Sequence, residues 1–156
     1  MDERGIILKG VKEFFTAKEL FCDHVIIRYG GNPWFLMNTR WLHTALVIRR
    51  DILRLPVVVN KYSSPSAMYT QRGGRCNLCQ IVRDETASGR CYVSAHVQHM
   101  AIDGTVLGMT AEDARRLIYD KQGLLPYPVR LEQDVSWLHV DGYDPDNGMK
   151  VNFFRG

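Results

Sequence analysis

Apolar positions along the chain predict helices in its first half. Across residues 38–53 they recur at three- and four-residue steps, with arginines on the opposite face, which predicts an amphipathic helix. Thr16 and Glu19 have the spacing of a capping box and predict a short helix over residues 16–22. Residues 1–15 show neither period, so we expect an irregular or extended arm there.

The second half of the chain has the pattern of strands. Alternating or β-branched stretches predict strands at 57–59, 105–107, 128–132, 137–143 and 149–154. A helix is predicted from the cap Thr110 to Gly123. Residues 61–92 show no sustained period and predict a long loop, a feature that is usually functional or mobile. Helices followed by clustered strands favour an α+β class, a small antiparallel sheet flanked by helices, in a single domain over residues 1–156.

Composition and charge disfavour several function classes. The net charge is +3, and the basic residues are scattered among acids, which disfavours nucleic-acid binding. No run of eighteen apolar residues is present, so we expect no membrane span. The charged start of the chain does not have the pattern of a secretory signal. We therefore expect a protein, most simply a monomer, that is cytoplasmic until something carries or releases it.

Two imidazoles and one carboxylate form a candidate metal site: His96, Asp103 and His139. His96 and Asp103 are seven residues apart, which points them to opposite faces of a straight strand and separates them by about two turns of a helix. They converge only if the chain bends around residues 98–100, while His139 approaches from a later strand. Three protein ligands leave a fourth position for water, as in catalytic zinc sites, where the ion acidifies water and polarises a carbonyl.

A zinc site that hydrolyses amides also needs a base. Glu132 lies seven residues before His139, across the predicted turn at 133–136, from which it can face the open metal position. Asp134 is the alternative, closer in sequence but on the turn itself. Asp141 follows His139 by two residues on the same strand face, so it is a candidate acceptor for an imidazole N–H.

Two short motifs resemble a known family. Residues 94–103, SAHVQHMAID, resemble the S-x-H-x-x-G-x-A-x-D signature of D-Ala-D-Ala carboxypeptidase-like zinc peptidases. Residues 137–141, WLHVD, resemble the later segment of that family, which carries the third ligand. The family includes vancomycin-resistance dipeptidases, phage L-alanyl-D-glutamate endolysins and the hedgehog signalling domain. The similar layout of elements extends over roughly residues 15–153.

The resemblance implies a hedgehog- or D,D-peptidase-like fold with one zinc ion. It implies hydrolysis of an amide bond in peptidoglycan stem peptides by a phage-type endolysin or carboxypeptidase, which acts on the cell wall after release or from a virion. The three candidate ligands would bind the zinc. Ser94 and either Arg72 or Arg75 would lie near the substrate, where a guanidinium suits a substrate carboxylate. His99, Trp137 and Asp141 would lie around the ligands.

Two positions depart from the family pattern. His99 replaces the signature glycine, which implies a different local turn or an additional group over the metal, and it is a competitor of His96 as a ligand. Ser136 stands where many members carry the catalytic acid, whereas Glu132 suits members with a glutamate further upstream. If Glu132 does not reach the metal, the alternative is a non-catalytic zinc-containing binding module or virion structural module.

The four cysteines contain one C-x-x-C motif, Cys76 to Cys79. A structural zinc needs four ligands, usually from two such pairs. Only Cys91 follows nearby, and Cys22 is distant in sequence. The favoured interpretation is therefore that the cysteines pack a loop, with a cysteine-centred metal or redox role as the weaker alternative.

Overall fold

The computed structural model describes residues 2–60 and 69–156. Its helices lie mostly before its strands in the chain: α1 (Glu3–Lys12), α2 (Ala17–Leu20), α3 (Asp23–Tyr29), α4 (Thr39–Val47), α5 (Gln80–Ala87) and α6 (Ala111–Asp120). The strands are β1 (Val57–Val58), β2 (Ala101–Val106), β3 (Val129–Glu132), β4 (Leu138–Asp141) and β5 (Val151–Phe154). Shorter helical turns are Pro33–Leu36, Ile48–Leu53 and Gln122–Leu124. The α+β class is confirmed.

The start of the chain is helical, so the prediction of an irregular arm over residues 1–15 was wrong. Asp2 caps α1 by accepting a hydrogen bond from the backbone N–H of Gly5. Ile7 and Val11, four residues apart, are buried where α1 packs against α4. Two glycines within α1 weaken its helical pattern in the sequence, and the tertiary contact with α4 overrides that weakness.

The two other early helical predictions are confirmed. Thr16 and Glu19 form the capping box, and α2 ends at Leu20, where Phe21 becomes extended and pairs with Gly74. The helix over residues 38–53 is present as α4 followed by a π-helical turn, Ile48–Leu53, which Arg54 ends in the left-handed conformation.

The predicted loop over residues 61–92 is helical in part. Residues 61–68 lie outside the described ranges, and α5 occupies Gln80–Ala87. Val82 is the one buried residue of α5, so an apolar period could not reveal this helix. The prediction of an irregular stretch was wrong at α5.

The strands of the described residues form one sheet in the order β1-β2-β4-β3-β5. Neighbours are antiparallel except for β3 and β5, which are parallel, so the sheet is mixed rather than antiparallel as predicted. The connection after β4 passes the start of β3. It places β5 beside β3 at the edge of the sheet, where β5 runs in the same direction as β3.

Alternation along β4 separates the core from the site. Leu138 and Val140 are fully buried on the side where α6 packs against β2 and β4. His139 and Asp141 therefore point to the opposite face, since successive strand residues alternate. This face carries the candidate site.

Candidate metal centre

Strand register places Asp103 opposite His139. The two residues are Cα partners in the antiparallel pairing of β2 with β4, a position in which side chains meet. One carboxylate oxygen of Asp103 lies 2.7 Å from Nδ1 of His139. Both residues are buried.

His96 reaches this pair through a tight turn. His99 has a φ of 54°, in the left-handed region, and its backbone N–H donates to the carbonyl of His96. The turn reverses the chain before β2, at the place where a bend was predicted. Nε2 of His96 then lies 3.4 Å from Nδ1 of His139 and 3.3 Å from the Oδ2 atom of Asp103.

Hydrogen bonds behind the rings fix which nitrogens face the centre. Nδ1 of His96 lies 2.9 Å from the carbonyl oxygen of Gly73, which can only accept, so this nitrogen carries the proton. Nε2 of His139 donates to Asp141 across 3.1 Å. The opposite nitrogens, Nε2 of His96 and Nδ1 of His139, are left to act as ligands, an arrangement typical of metal-binding histidines.

Asp141 is itself held by charge. It is fully buried, and Arg130 donates to both of its oxygens across 3.0 and 2.8 Å. The backbone N–H of Tyr143 adds a third donor at 3.0 Å. The orientation of His139 therefore depends on a carboxylate that cannot rotate without losing several hydrogen bonds.

The centre concentrates hydrogen-bond acceptors. Although burial opposes ionisation, hydrogen bonds from His139 and His96 hold the pKa of Asp103 below its usual value. Burial also opposes the charged form of His139, yet its hydrogen bonds to Asp103 and Asp141 raise its pKa to about 9. A carboxylate and two ring nitrogens that face one another require a proton or a cation between them.

The donor set is one that zinc accepts, and two of its three separations match a zinc site. Nitrogen or oxygen ligands about 2.0–2.1 Å from a tetrahedral zinc lie about 3.3 Å apart. Nε2 of His96 lies 3.4 Å from His139 Nδ1 and 3.3 Å from Asp103 Oδ2, whereas His139 Nδ1 lies 2.7 Å from Asp103 Oδ1, a hydrogen-bond distance. We call His96, Asp103 and His139 the metal trio, whose ligand atoms all lie within 4.8 Å of one another.

Glu132 and Asp134 occupy different environments. Oε2 of Glu132 lies 4.0 Å from Nδ1 of His139, and its side chain is 17% exposed in the wall of the pocket. Asp134 has a φ of 61° in the turn after β3, and its side chain is 69% exposed and paired with Arg155. The structure thus brings Glu132, and not Asp134, to the metal trio.

The metal trio opens into a pocket of about 400 Å³. Ser94, Trp137 and Gly156 contribute to its walls. Nε1 of Trp137 is buried and has no hydrogen-bond partner among the described residues. Ser94 accepts from the backbone N–H of Val97 at 3.4 Å, which places it at the turn as well as at the pocket.

The two candidate arginines differ in their surroundings. Arg75 is buried, donates to Tyr92 and to the carbonyl of Gln71, and lies 3.4 Å from Asp103. Arg72 donates to Thr105 on the far side of Asp103 and lies over the ring of Tyr69. A second pocket of about 360 Å³ reaches both arginines and shares Asp103 and Trp137 with the first.

His99 points away from the metal trio. Its ring lies 5.6 Å from that of Phe21, and its Nδ1 atom is buried against Gly74 without a hydrogen-bond partner in the described ranges. Burial lowers the pKa of His99. The ring fills the space above Gly74, and the structure does not place it over the position between the three ligands.

Sequence reasoning kept a cysteine-centred metal role only as the weaker alternative and missed His24 as a fourth ligand-type side chain. Cys22, His24, Cys76 and Cys79 also have ligand atoms within 4.8 Å of one another. Cys91 is exposed and outside this group. The available signal was the C-x-H motif at residues 22–24, a second short-spaced pair that complements C-x-x-C.

Comparisons with known proteins give no relative. The chain matches no family model, no curated protein and no solved structure. Within the described residues, no helix is both long and apolar enough to cross a membrane.

Proposed function

We propose that the protein is a zinc-dependent peptidase that hydrolyses an amide bond in peptidoglycan stem peptides. One observation carries the proposal. The nitrogens of His96 and His139 and the carboxylate of Asp103 converge with their ligand atoms within 4.8 Å of one another, with Glu132 beside them, in one pocket. The substrate class comes from the resemblance of residues 94–103 and 137–141 to D-Ala-D-Ala carboxypeptidase-like peptidases.

The metal trio would hold the zinc ion through Nε2 of His96, Nδ1 of His139 and the carboxylate of Asp103. When bound, zinc supplies a Lewis acid that polarises the scissile carbonyl and acidifies the attacking water. The chain supplies the orientation. Gly73 and Asp141 accept from the outer nitrogens of the two imidazoles, which keeps the inner lone pairs directed at the ion.

Glu132 is the proposed proton carrier. Its carboxylate takes a proton from water as the water oxygen bonds to the carbonyl carbon. It then delivers that proton to the leaving nitrogen as the carbon–nitrogen bond breaks. The 4.0 Å separation between Glu132 Oε2 and His139 Nδ1 supports this role, because a base must come within reach of the reacting proton directly or through one water.

An arginine would bind a carboxylate of the stem peptide. Arg75 lies at the junction of the two pockets, and its guanidinium already contacts Asp103, so it suits the part of the substrate nearest the metal. Arg72 lies on the second pocket only and suits a carboxylate further along the peptide. Trp137 lines both pockets, so its side chain would contact the peptide between the metal trio and the second pocket.

The test is hydrolysis of purified peptidoglycan by the zinc-loaded protein, followed by mass spectrometry of the released peptides. We expect Glu132→Gln to lower the rate by about 10²–10⁴-fold, the usual contribution of a general base. Its zinc content should equal that of the parent protein, because Glu132 is not a ligand. Asp134→Asn, on the turn that follows Glu132, is the matched control and should keep the parent rate.

Two outcomes contradict parts of the proposal. Equal rates for Glu132→Gln and the parent would refute the base assignment. A fully loaded parent protein that cleaves no stem-peptide bond would refute the enzyme and favour the non-catalytic zinc-containing binding module or virion component. Identification of the cleaved bond by mass would separate D,D- from L,D-specificity.

A further inference from the structure

The second cluster joins two parts of the chain that are distant in sequence. Cys22 immediately precedes α3, and His24 lies in its first turn. Cys76 and Cys79 lie in the loop that leads into α5. All four cysteines of the chain are free thiols, and three of them meet here around one imidazole, a Cys₃His set.

We propose that Cys22, His24, Cys76 and Cys79 bind a structural zinc ion. Cys₃His is an established ligand set for closed, four-coordinate zinc. Around such an ion, two sulfurs lie about 3.8 Å apart and a sulfur and a nitrogen about 3.6 Å apart. Sγ of Cys79 and Nδ1 of His24 are separated by 3.9 Å, so side-chain adjustments of less than about 1 Å complete the site.

The C-x-x-C segment is already folded as a metal-binding turn. The N–H of Leu78 donates to Sγ of Cys76 at 3.4 Å, and the N–H of Cys76 donates to Sγ of Cys79 at 3.3 Å. The N–H of Cys79 donates to the carbonyl of Cys76 and closes the turn. Such N–H donors stabilise thiolates, and Cys79 also benefits from the positive end of the α5 dipole.

Burial and access differ among the four ligands as a metal site requires. Cys22 and Cys79 are buried, whereas His24 is exposed and can swing to close the coordination shell. A pocket of about 250 Å³ borders Cys22, His24 and Cys79 and provides a path for the ion. A simple redox pair would use two of these sulfurs and leave the third sulfur and the imidazole without a role.

The zinc would brace the loop that holds the metal trio. The N–H of Cys22 donates to the carbonyl of Gly74, and the N–H of Gly74 donates to Leu20, so this loop already lies against the end of α2. The carbonyl of Gly73 orients His96, and the carbonyl of Arg72 accepts from the N–H of Asp103 at 2.7 Å. Cys76 of the cluster thus lies three residues beyond Gly73, at the end of the segment that positions two of the three ligands.

The test uses cobalt(II) in place of zinc, because a cobalt–thiolate bond absorbs in the near ultraviolet. The metal trio contains no sulfur, so this absorption in the full wild-type chain reports on the cysteines alone. We expect wild type and Cys91→Ser to show thiolate-to-cobalt absorption with tetrahedral d–d bands. Cys79→Ser should lose the thiolate absorption, whereas Cys91→Ser is its control for the loss of one thiol.

The result is independent of peptidase activity, so the proposal stands or falls separately from the proposed function. Absence of thiolate absorption in cobalt-loaded wild type would overturn it, even if Cys79→Ser does not fold. Loss of thiolate absorption in Cys91→Ser would also overturn it. So would a disulfide among Cys22, Cys76 and Cys79, detected by counting free thiols in denaturant after purification without reductant.

A further readout addresses the bracing role. Metal removal should raise the hydrogen-exchange rates of the Cys22 and Gly74 amides by at least about tenfold, because their hydrogen bonds join the braced segments. Unchanged exchange at both amides would refute the bracing role.

Discussion

Replacement of Asp141 by asparagine tests how the chain orients His139. The Oδ2 atom of Asp141 accepts from His139 and from Arg130, and its Oδ1 atom accepts from Arg130 and from the backbone of Tyr143. Asparagine keeps one acceptor oxygen, so in either orientation its NH₂ group faces two of these donors. If that group faces His139, the ring relieves the conflict by moving its proton from Nε2 to Nδ1, which blocks the nitrogen that would bind zinc.

The expected loss of zinc affinity in Asp141→Asn follows from the loss of one hydrogen bond to the outer nitrogen of the ligand His139. Such changes weaken metal binding by about 10–100-fold, or about 1.4–2.7 kcal/mol. The metal-free protein should also lose about 1–3 kcal/mol of unfolding free energy, because buried donors are left without an acceptor. Asp134→Asn, exposed and paired only with Arg155 among the described residues, should change neither quantity.

The assay is a titration with zinc in the presence of a competing chelator. Binding is monitored by NMR through the ring resonances of His96 and His139. These signals report the metal trio and are insensitive to zinc bound elsewhere. Above pH 9, where the zinc-free ring is neutral, the nitrogen shifts of His139 identify its tautomer. The reasoning is refuted if Asp141→Asn binds zinc with the parent affinity, or if the His139 tautomer is unchanged while affinity falls.

Three further predictions concern the pKa of His139 and the contact between His99 and Gly74. Since hydrogen bonds to two carboxylates raise the pKa of His139 to about 9, it is protonated in the zinc-free protein at pH 7 and zinc must displace that proton. Zinc affinity at the metal trio, measured by calorimetry, should therefore rise by about tenfold per pH unit from 7 and level off near 9, and a flat profile would contradict the raised pKa. In the zinc-free protein the raised pKa of His139 also stabilises the fold. This contribution to the free energy of unfolding is complete below pH 6.5 and is lost as the pH rises through 9. In denaturation experiments, His139→Gln should not show this pH-dependent loss. Gly74→Ala should lower the unfolding free energy by about 1–3 kcal/mol, because its Cβ would strike the ring of His99. Adding His99→Gly to this variant should restore most of that loss. Additive effects of the two substitutions would contradict the contact.

Amphipathic periodicity predicted the elements whose one face is buried along their whole length. The helix over residues 38–53 and the strand β3 belong to this group, whereas β4 is buried at all four positions. Helix α5 escaped prediction because Val82 is its one buried residue, and α1 escaped because two glycines dilute its pattern. The parallel placement of β5 depends on the path of the connection after β4, which no local pattern encodes.

The candidate ligands could be proposed from their residue types, their spacing and the resemblance of residues 94–103 and 137–141, whereas the contacts that orient them could not. The seven-residue gap from His96 to Asp103 required a bend, and the turn at His99 supplies it. The carbonyl of Gly73 behind His96 and the guanidinium of Arg130 behind Asp141 could not be foreseen. Both contacts depend on the packing of distant segments rather than on spacing.

The edge position of β5 has a practical consequence for handling the protein. This strand carries the chain past Phe154 to Gly156, and both residues line the wall of the pocket beside Glu132. Residues appended after Gly156, such as an affinity tag, would emerge at the mouth of the pocket and compete with a peptide for the same space. A tag placed before Asp2, at the cap of α1, emerges from residues that do not line this pocket, and is the suitable choice for binding and activity measurements.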